Sequence, residues 1–126
     1  MKKIIKEWLD KAKEDLTVCE DLIDKGKFPD IAGFHAQQSA EKYLKALWEF
    51  FDIGIVKAHD LYFLKEELME KTEKINEIDD EDLYFLTQFA VDFRYPGGEK
   101  STMKEAMDAY RIALKVRNIV LEILEK

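Results

Sequence analysis

Four polar side chains recur at helical spacing within residues 34–47, and the two lysines among them could hold a phosphate group. At 100° per residue, Gln38, Glu41, Lys42 and Lys45 fall on one arc of a helix, which we call the polar arc. The same spacing suits two intrahelical pairs, Gln38 with Lys42 and Glu41 with Lys45, as on an ordinary surface helix. The opposite arc is predicted to be a packing face and consists of Ala32, Ala36, Ala40, Tyr43 and Leu47. A ligand site on the polar arc therefore needs support from a second motif.

Two charged residues occur on the apolar stripes of other predicted helices. Asp15 lies on the stripe of the first helix and Arg117 on that of the last. Because a buried charge without a partner is costly, each should be paired or should reach a cleft. A structural interpretation pairs Asp15 with Arg117, or places them at an edge where their head groups reach water. A functional interpretation places them in a polar cavity with Gln38, Lys42 and Arg94, where the basic groups hold a phosphate.

Two further motifs stand at predicted helix ends. His59 precedes Asp60 at a helix start, where its imidazole either hydrogen-bonds the turn or points into a cleft as an acid, base or phosphate ligand. Arg94 and Tyr95 end a helix and are followed by a Pro-Gly-Gly turn. Arg94 either stabilises the final carbonyls of that helix or, with the turn, contacts a phosphate or nucleotide. Each motif has both a structural and a functional interpretation.

The elements that position these residues are predicted to be helices in a single domain, residues 1–126. A chain of 126 residues with 47% hydrophobic residues supplies one core, and only 5 Gly and 2 Pro favour helices. Helical periodicity predicts helices over about 3–24 and 29–52, one from about 60, one from 79–82 and one from 102 to about 125. Two of these are short. The expected fold is all-α, an up-and-down four-helix bundle with one additional short helix.

The net charge of −7 is concentrated in one segment. Residues 65–82 carry a net charge of −6, so the rest of the chain is nearly balanced. This acidic segment is predicted to be a solvated helix end and loop, with partner docking as the alternative. A local basic groove remains compatible with the composition, but the footprint of a dedicated DNA-binding protein is missing.

The single cysteine and the two histidines exclude an intramolecular disulfide and a zinc site from the sequence, and no cofactor is expected. Cys19 lies on an apolar helical face and is predicted to be a core residue. His35, on the flank of the polar arc, is predicted to be an exposed surface residue. With neither a signal peptide nor a membrane-length apolar run, the protein is expected to be cytoplasmic.

Four segments in order carry a family resemblance. They are Asp15-Leu16, residues 37–42 with Lys45, His59-Asp60-Leu61 and Arg94-Tyr95-Pro96. Together they resemble the HEPN family, small helical domains named for higher eukaryotes and prokaryotes nucleotide-binding. The resemblance covers roughly residues 8–124. It implies a four-helix bundle with a short extra helix, usually dimeric, and an association with a separate minimal nucleotidyltransferase, often as toxin and antitoxin.

The chain departs from the pattern of the catalytic members that the resemblance implies. Those ribonucleases are metal-independent and use an arginine, four to six intervening residues and a histidine. No histidine follows His59 in this chain, so neither Arg94 nor a later arginine completes the motif. The sequence therefore favours a non-catalytic domain that binds a nucleotide, another phosphate-bearing ligand or a nucleotidyltransferase partner. The alternatives are a divergent ribonuclease toxin, in which Arg94 acts with His59, and a dimeric scaffold.

Aromatic residues at the end of the second helix favour a homodimer. Trp48, Phe50 and Phe51 spread around the helix circumference, so they cannot all point into one core. Some are expected to be exposed or to meet a second chain. Nucleotide, RNA and a nucleotidyltransferase are the further partners that remain open, and no membrane partner is expected.

Overall fold

The computed structural model describes residues 1–54, 60–91, 93 and 96–125, and within these residues all regular structure is helical. There are five α-helices among these residues, and a 3₁₀ turn at Glu73–Glu77 lies between the third and the fourth. The helices are α1 (Lys3–Asp24), α2 (Pro29–Phe50), α3 (Leu61–Leu68), α4 (Asp80–Val91) and α5 (Met103–Leu124). The predicted helices are confirmed, and they begin within about two residues of the expected positions. α4 ends at Val91, earlier than the end predicted at Arg94.

Local signals explain where the helices begin and end. The Asp60 carboxylate caps α3 by accepting hydrogen bonds from the backbone N–H groups of Tyr62 and Phe63. Thr102 and Glu105 form the capping box that opens α5. At the end of α1, Gly26 adopts φ 65°, and the N–H groups of residues 26 and 27 bond the carbonyls of residues 23 and 22. This pattern is a Schellman motif, which satisfies carbonyls that the helix leaves unpaired.

Long-range contacts establish an up-and-down order with α2 at the centre. Lys2, before α1, pairs with Asp52, just after α2, so these two helices are antiparallel. Asp30, in the first turn of α2, accepts a hydrogen bond of 2.8 Å from the backbone N–H of Ser101, so α2 and α5 start at the same end of the bundle. α4 returns between them, and α3 is the additional short helix. The four-helix bundle with one short extra helix is confirmed.

Gly33 lets α2 and α4 approach closely. The fully buried Phe89 of α4 lies against the backbone of Gly33, and a Cβ built on Gly33 would lie 2.1 Å from two atoms of its ring. The predicted packing arc of α2 contacts the same core, since Ala32, Ala36, Ala40, Tyr43 and Leu47 are all buried. The core is continuous through α2, so the polar side chains of this helix lie on a rigid element.

The acidic segment is largely solvent-exposed, as predicted, but it also holds a buried cation. The side chain of Lys65 is 5% exposed. Its ammonium donates a hydrogen bond of 2.8 Å to the Ile78 carbonyl and forms an ion pair of 2.6 Å with Asp80. This pair joins α3 to the start of α4. None of the helices in the described part of the chain is both long and apolar enough to cross a bilayer.

Candidate functional site

Asp15 is the centre of a polar cluster between α1 and α2. Its two carboxylate oxygens contact Nδ1 of His35, at 2.9 Å, and the ammonium of Lys42. The side chain of Asp15 is 13% exposed, and those of His35 and Lys42 are 28% and 23% exposed. Three predictions are therefore wrong. Asp15 pairs with these residues rather than with Arg117, Lys42 bonds across to α1 rather than to Gln38, and His35 is half-buried rather than exposed.

Polar residues of α2 pair with α1 because α2 is packed on most of its circumference. A polar side chain there finds its partner on a neighbouring helix more readily than in solvent, because burial raises the cost of an unpaired charge. Intrahelical spacing alone counts only the partners on α2 itself. Partners on the neighbouring helices can be identified only from the assembled bundle.

Glu41 and Lys45 form the intrahelical pair that the spacing predicts. Lys45 donates a hydrogen bond of 3.0 Å to Glu41, whose side chain is only 5% exposed. The Lys45 ammonium also lies 5.6 Å from the ring centroid of Trp8 on α1, a cation–π distance. The side-chain amide of Gln38 donates a hydrogen bond of 2.8 Å to the side-chain oxygen of the buried Gln37. The polar arc is thus a half-buried network rather than a solvated face.

This pairing limits what the polar arc can do chemically. Its two cations, Lys42 and Lys45, are each balanced by a carboxylate of low exposure, Asp15 and Glu41. A phosphate group would have to displace those carboxylates to bind the ammonium groups. The described part of the arc is therefore a rigid, charge-compensated wall.

A cleft of about 350 Å³ lies at the start of α2, beside the Pro96-Gly97-Gly98 turn. We call it the turn cleft. Phe34 precedes Gln38 by one helical turn, so the cleft continues the face that carries the polar arc. Its lining residues are Asp30, Ile31, Phe34, Phe93, Pro96, Gly97, Gly98, Glu99 and Lys100. The lining is mainly apolar, with charged groups among the residues of the loop that leads into α5.

Asp30 closes one wall of the turn cleft. Its Oδ1 accepts hydrogen bonds from both the backbone N–H and the hydroxyl of Ser101. These bonds hold the loop before α5 against the first turn of α2. Asp30, Ile31, Phe34 and Lys100 were not anticipated as site residues, because their role depends on a loop meeting a helix about 70 residues earlier, which no spacing rule reveals.

Three candidate site residues, His59, Arg94 and Tyr95, lie outside the described residues. The ligand-binding roles predicted for them, and for Gln38, Lys42 and Lys45, stay predictions. Among the residues that the structure describes, no three His, Cys, Asp or Glu side chains converge as a metal site would.

Arg117 lies apart from the polar arc, in a groove between α1 and α5. It lines this groove together with Tyr43, the buried tyrosine of α2. Thus Asp15 and Arg117, both predicted from the inner stripes, belong to two different sites. Their separation reflects the rotation of each helix in the bundle, which the individual stripes do not specify.

Cys19 is fully buried, as predicted, and is expected to be inert as a nucleophile. Burial raises the pKa of its thiol to about 12. At pH 8 only about one thiol in ten thousand would then be a thiolate, the reactive form. Ellman's reagent should therefore label the native protein far more slowly than the protein in 6 M guanidinium. Labelling at the same rate in both conditions would contradict this burial.

Comparisons with known proteins agree with the geometry. A model of the HEPN domain matches residues 5–124. The crystal structure of ST0689, an archaeal HEPN homologue, superposes with a TM-score of 0.74 at 24% identity, over 97% of this chain and 98% of that one. The crystal structure of TT1696 from Thermus thermophilus gives a TM-score of 0.74 at 25% identity, over 94% of this chain and 96% of that one. None of the curated proteins matches this chain.

Proposed function

The chain belongs to the HEPN domain family, and we propose that it is a non-catalytic nucleotide-binding domain whose site is the turn cleft. The observation that carries this proposal is the combination of two phenyl rings, Phe34 and Phe93, with a glycine turn and a lysine around one cleft of about 350 Å³. That volume lies within the range of small-molecule sites.

The lining suggests how a nucleotide would be oriented. Aromatic rings bind bases by stacking, which is worth about 1–3 kcal/mol per base. Glu99 at the cleft would repel a phosphate but can accept a hydrogen bond from a base amino group. Lys100 is the one cation among the described residues that line the cleft, and it is exposed and forms no ion pair with the described residues, so it can bind the phosphate. The base therefore occupies the apolar part, and the phosphate lies toward Lys100.

Rigidity supports the same site. Phe93 packs on the fully buried Phe89 with ring centroids 4.7 Å apart, which holds it at the cleft. The charge-compensated network of the polar arc stabilises the adjoining face of α2. A pre-ordered aromatic wall lowers the entropy cost of binding.

Isothermal titration with AMP, CMP, GMP and UMP at constant ionic strength tests the proposal. Phe93→Ala should weaken binding of the preferred nucleotide at least about tenfold through lost stacking. Lys100→Ala should weaken the nucleotide but not the matching nucleoside, because only the phosphate contact is removed. Tyr84→Ala, an exposed aromatic on α4, and Lys104→Ala, an exposed lysine on α5, are the matched controls and should bind normally.

Two results would overturn the proposal: no heat or chemical-shift change with any nucleotide at millimolar concentration, or equal binding by Lys100→Ala and wild type. Lys100→Ala keeps the test decisive if Phe93→Ala unfolds, since Lys100 is exposed and makes no contact that the fold needs.

A second candidate function is the binding of a minimal nucleotidyltransferase protein, favoured by exposed apolar side chains beside the cleft. Phe28 is 59% exposed and Ile31 is 48% exposed, and they line a neighbouring groove of about 300 Å³. Side chains of this kind commonly mark protein interfaces. If nucleotides fail to bind while a nucleotidyltransferase encoded in the neighbouring reading frame co-migrates with the purified chain, this second function replaces the first.

A further inference from the structure

A second polar groove lies between α1 and α5, away from the turn cleft. It encloses about 160 Å³ and shares no lining residue with the turn cleft. We call it the Arg117 groove. Its lining residues are Lys13, Leu16, Thr17, Glu20, Tyr43, Tyr110, Leu114 and Arg117.

The cations of this groove, unlike those of the polar arc, are not balanced by neighbouring carboxylates. Among the described residues, neither Arg117 nor Lys13 forms an ion pair, and the neighbour of Arg117 in the lining is the neutral Tyr43. Arg117 is half-buried at this position. An arginine in such surroundings usually has a carboxylate or phosphate partner, because partial burial costs solvation that an anion restores.

The one carboxylate that lines the groove is already occupied. Glu20 accepts a hydrogen bond from the hydroxyl of Tyr110, and this bond is the main reason that the pKa of Tyr110 is raised to about 12. Glu20 is thereby drawn to the tyrosine rather than to either cation. With two cations and one acid, the lining carries a net charge of +1 in a chain whose net charge is −7.

The other polar groups of the Arg117 groove and its volume restrict the chemical class of the ligand. Tyr43 contributes its phenol beside the two cations, whereas the hydroxyl of Thr17 already donates a hydrogen bond of 2.9 Å to the backbone carbonyl of Lys13. A volume of about 160 Å³ is about half the lower limit for typical small-molecule sites, so the groove holds a compact group. A guanidinium fork with adjacent hydroxyl and ammonium groups is well suited to a phosphoryl group.

We propose that the Arg117 groove binds a single phosphoryl group, held by Arg117 and Lys13. The phosphoryl group belongs either to free phosphate or to a phosphomonoester whose organic part extends into solvent. This site is separate from the nucleotide site of the turn cleft.

The probes are inorganic phosphate and ribose 5-phosphate, each titrated at constant ionic strength against sodium chloride. At ten times its Kd, the bound anion should raise the melting temperature by about 3 to 8 °C. Amide chemical shifts should move in residues 13–20 and 110–117. Equal effects of the two probes identify free phosphate as sufficient, whereas a larger effect of ribose 5-phosphate identifies the monoester as the ligand; both results support the site.

Two variants and two matched controls make the test specific. Arg117→Gln and Lys13→Gln should each reduce the thermal shift at least threefold. Lys115→Gln and Arg111→Gln, exposed basic residues on α5, should leave it unchanged. Because Lys13 is exposed, Lys13→Gln remains informative if Arg117→Gln unfolds.

No shift with either probe relative to chloride, or a shift that Lys13→Gln and Arg117→Gln both retain in full, would overturn the proposal. Phe93→Ala and Lys100→Ala leave this site intact and should still bind inorganic phosphate. The failure of either proposed site is therefore distinguishable from failure of the other.

Discussion

Replacing Gly33 with alanine is expected to lower the free energy of unfolding by about 3 kcal/mol, the upper end of the usual range for overpacking. The added Cβ would lie 2.1 Å from two atoms of the Phe89 ring, far inside contact distance. Phe89 is fully buried, so its ring cannot move without disturbing the rest of the core. Chemical denaturation monitored by circular dichroism measures this loss of free energy, and a thermal melt should show a fall in melting temperature of about 10 °C.

The matched control is Asn118→Ala, an exposed position within α5 where alanine should leave stability unchanged or raise it slightly. Phe89→Leu should partly rescue Gly33→Ala, because the shorter side chain vacates the ring volume, and the double-mutant cycle should show favourable coupling. If Gly33→Ala gained stability as an ordinary helical Gly→Ala change does, the close packing of α2 on α4 would be contradicted.

Replacing Asp15 with alanine has the second-largest expected effect, a loss of about 2 kcal/mol. The substitution removes the acid that His35 and Lys42 share, and it leaves the Lys42 ammonium, 23% exposed, without this partner. The cost arises from stranding a partly desolvated charge rather than from the net strength of the pair. Urea denaturation at pH 7 measures it.

Asp10→Ala, an exposed acid on the same helix, is the control and should change stability by less than about 0.5 kcal/mol. The double variant Asp15→Leu with Lys42→Met should be more stable than Asp15→Ala, because it replaces both charges by apolar groups. Equal stability of Asp15→Ala and Asp10→Ala would show that Asp15 does not hold α1 to α2.

These two variants also separate structure from ligand binding. Gly33 lies one residue before Phe34, so a shift of α2 against α4 should disturb the turn cleft as well as the core. Asp15 lines neither the turn cleft nor the Arg117 groove. A folded Asp15→Asn variant should therefore retain binding at both sites.

Local patterns in the sequence were enough to predict the elements of the fold. Residue spacing placed α1 between residues 3 and 24, Asp60 predicted its helix start, and Thr102 with Glu105 predicted the capping box. These features depend on contacts within three or four residues, which a one-dimensional pattern records directly. The buried state of Cys19 and of the small-residue face of α2 followed from the same periodicity.

Which polar residues meet depends instead on the assembled bundle. Asp15 and Arg117 occupy comparable inner stripes, yet one pairs with His35 and Lys42 and the other contacts Tyr43. The turn cleft needs Asp30 to meet Ser101 across 71 residues of sequence. Periodicity gives the face of each helix but not its rotation or the loop that covers its end. Those depend on how all the side chains pack at once, with the steric limit at Gly33 as one of the deciding contacts.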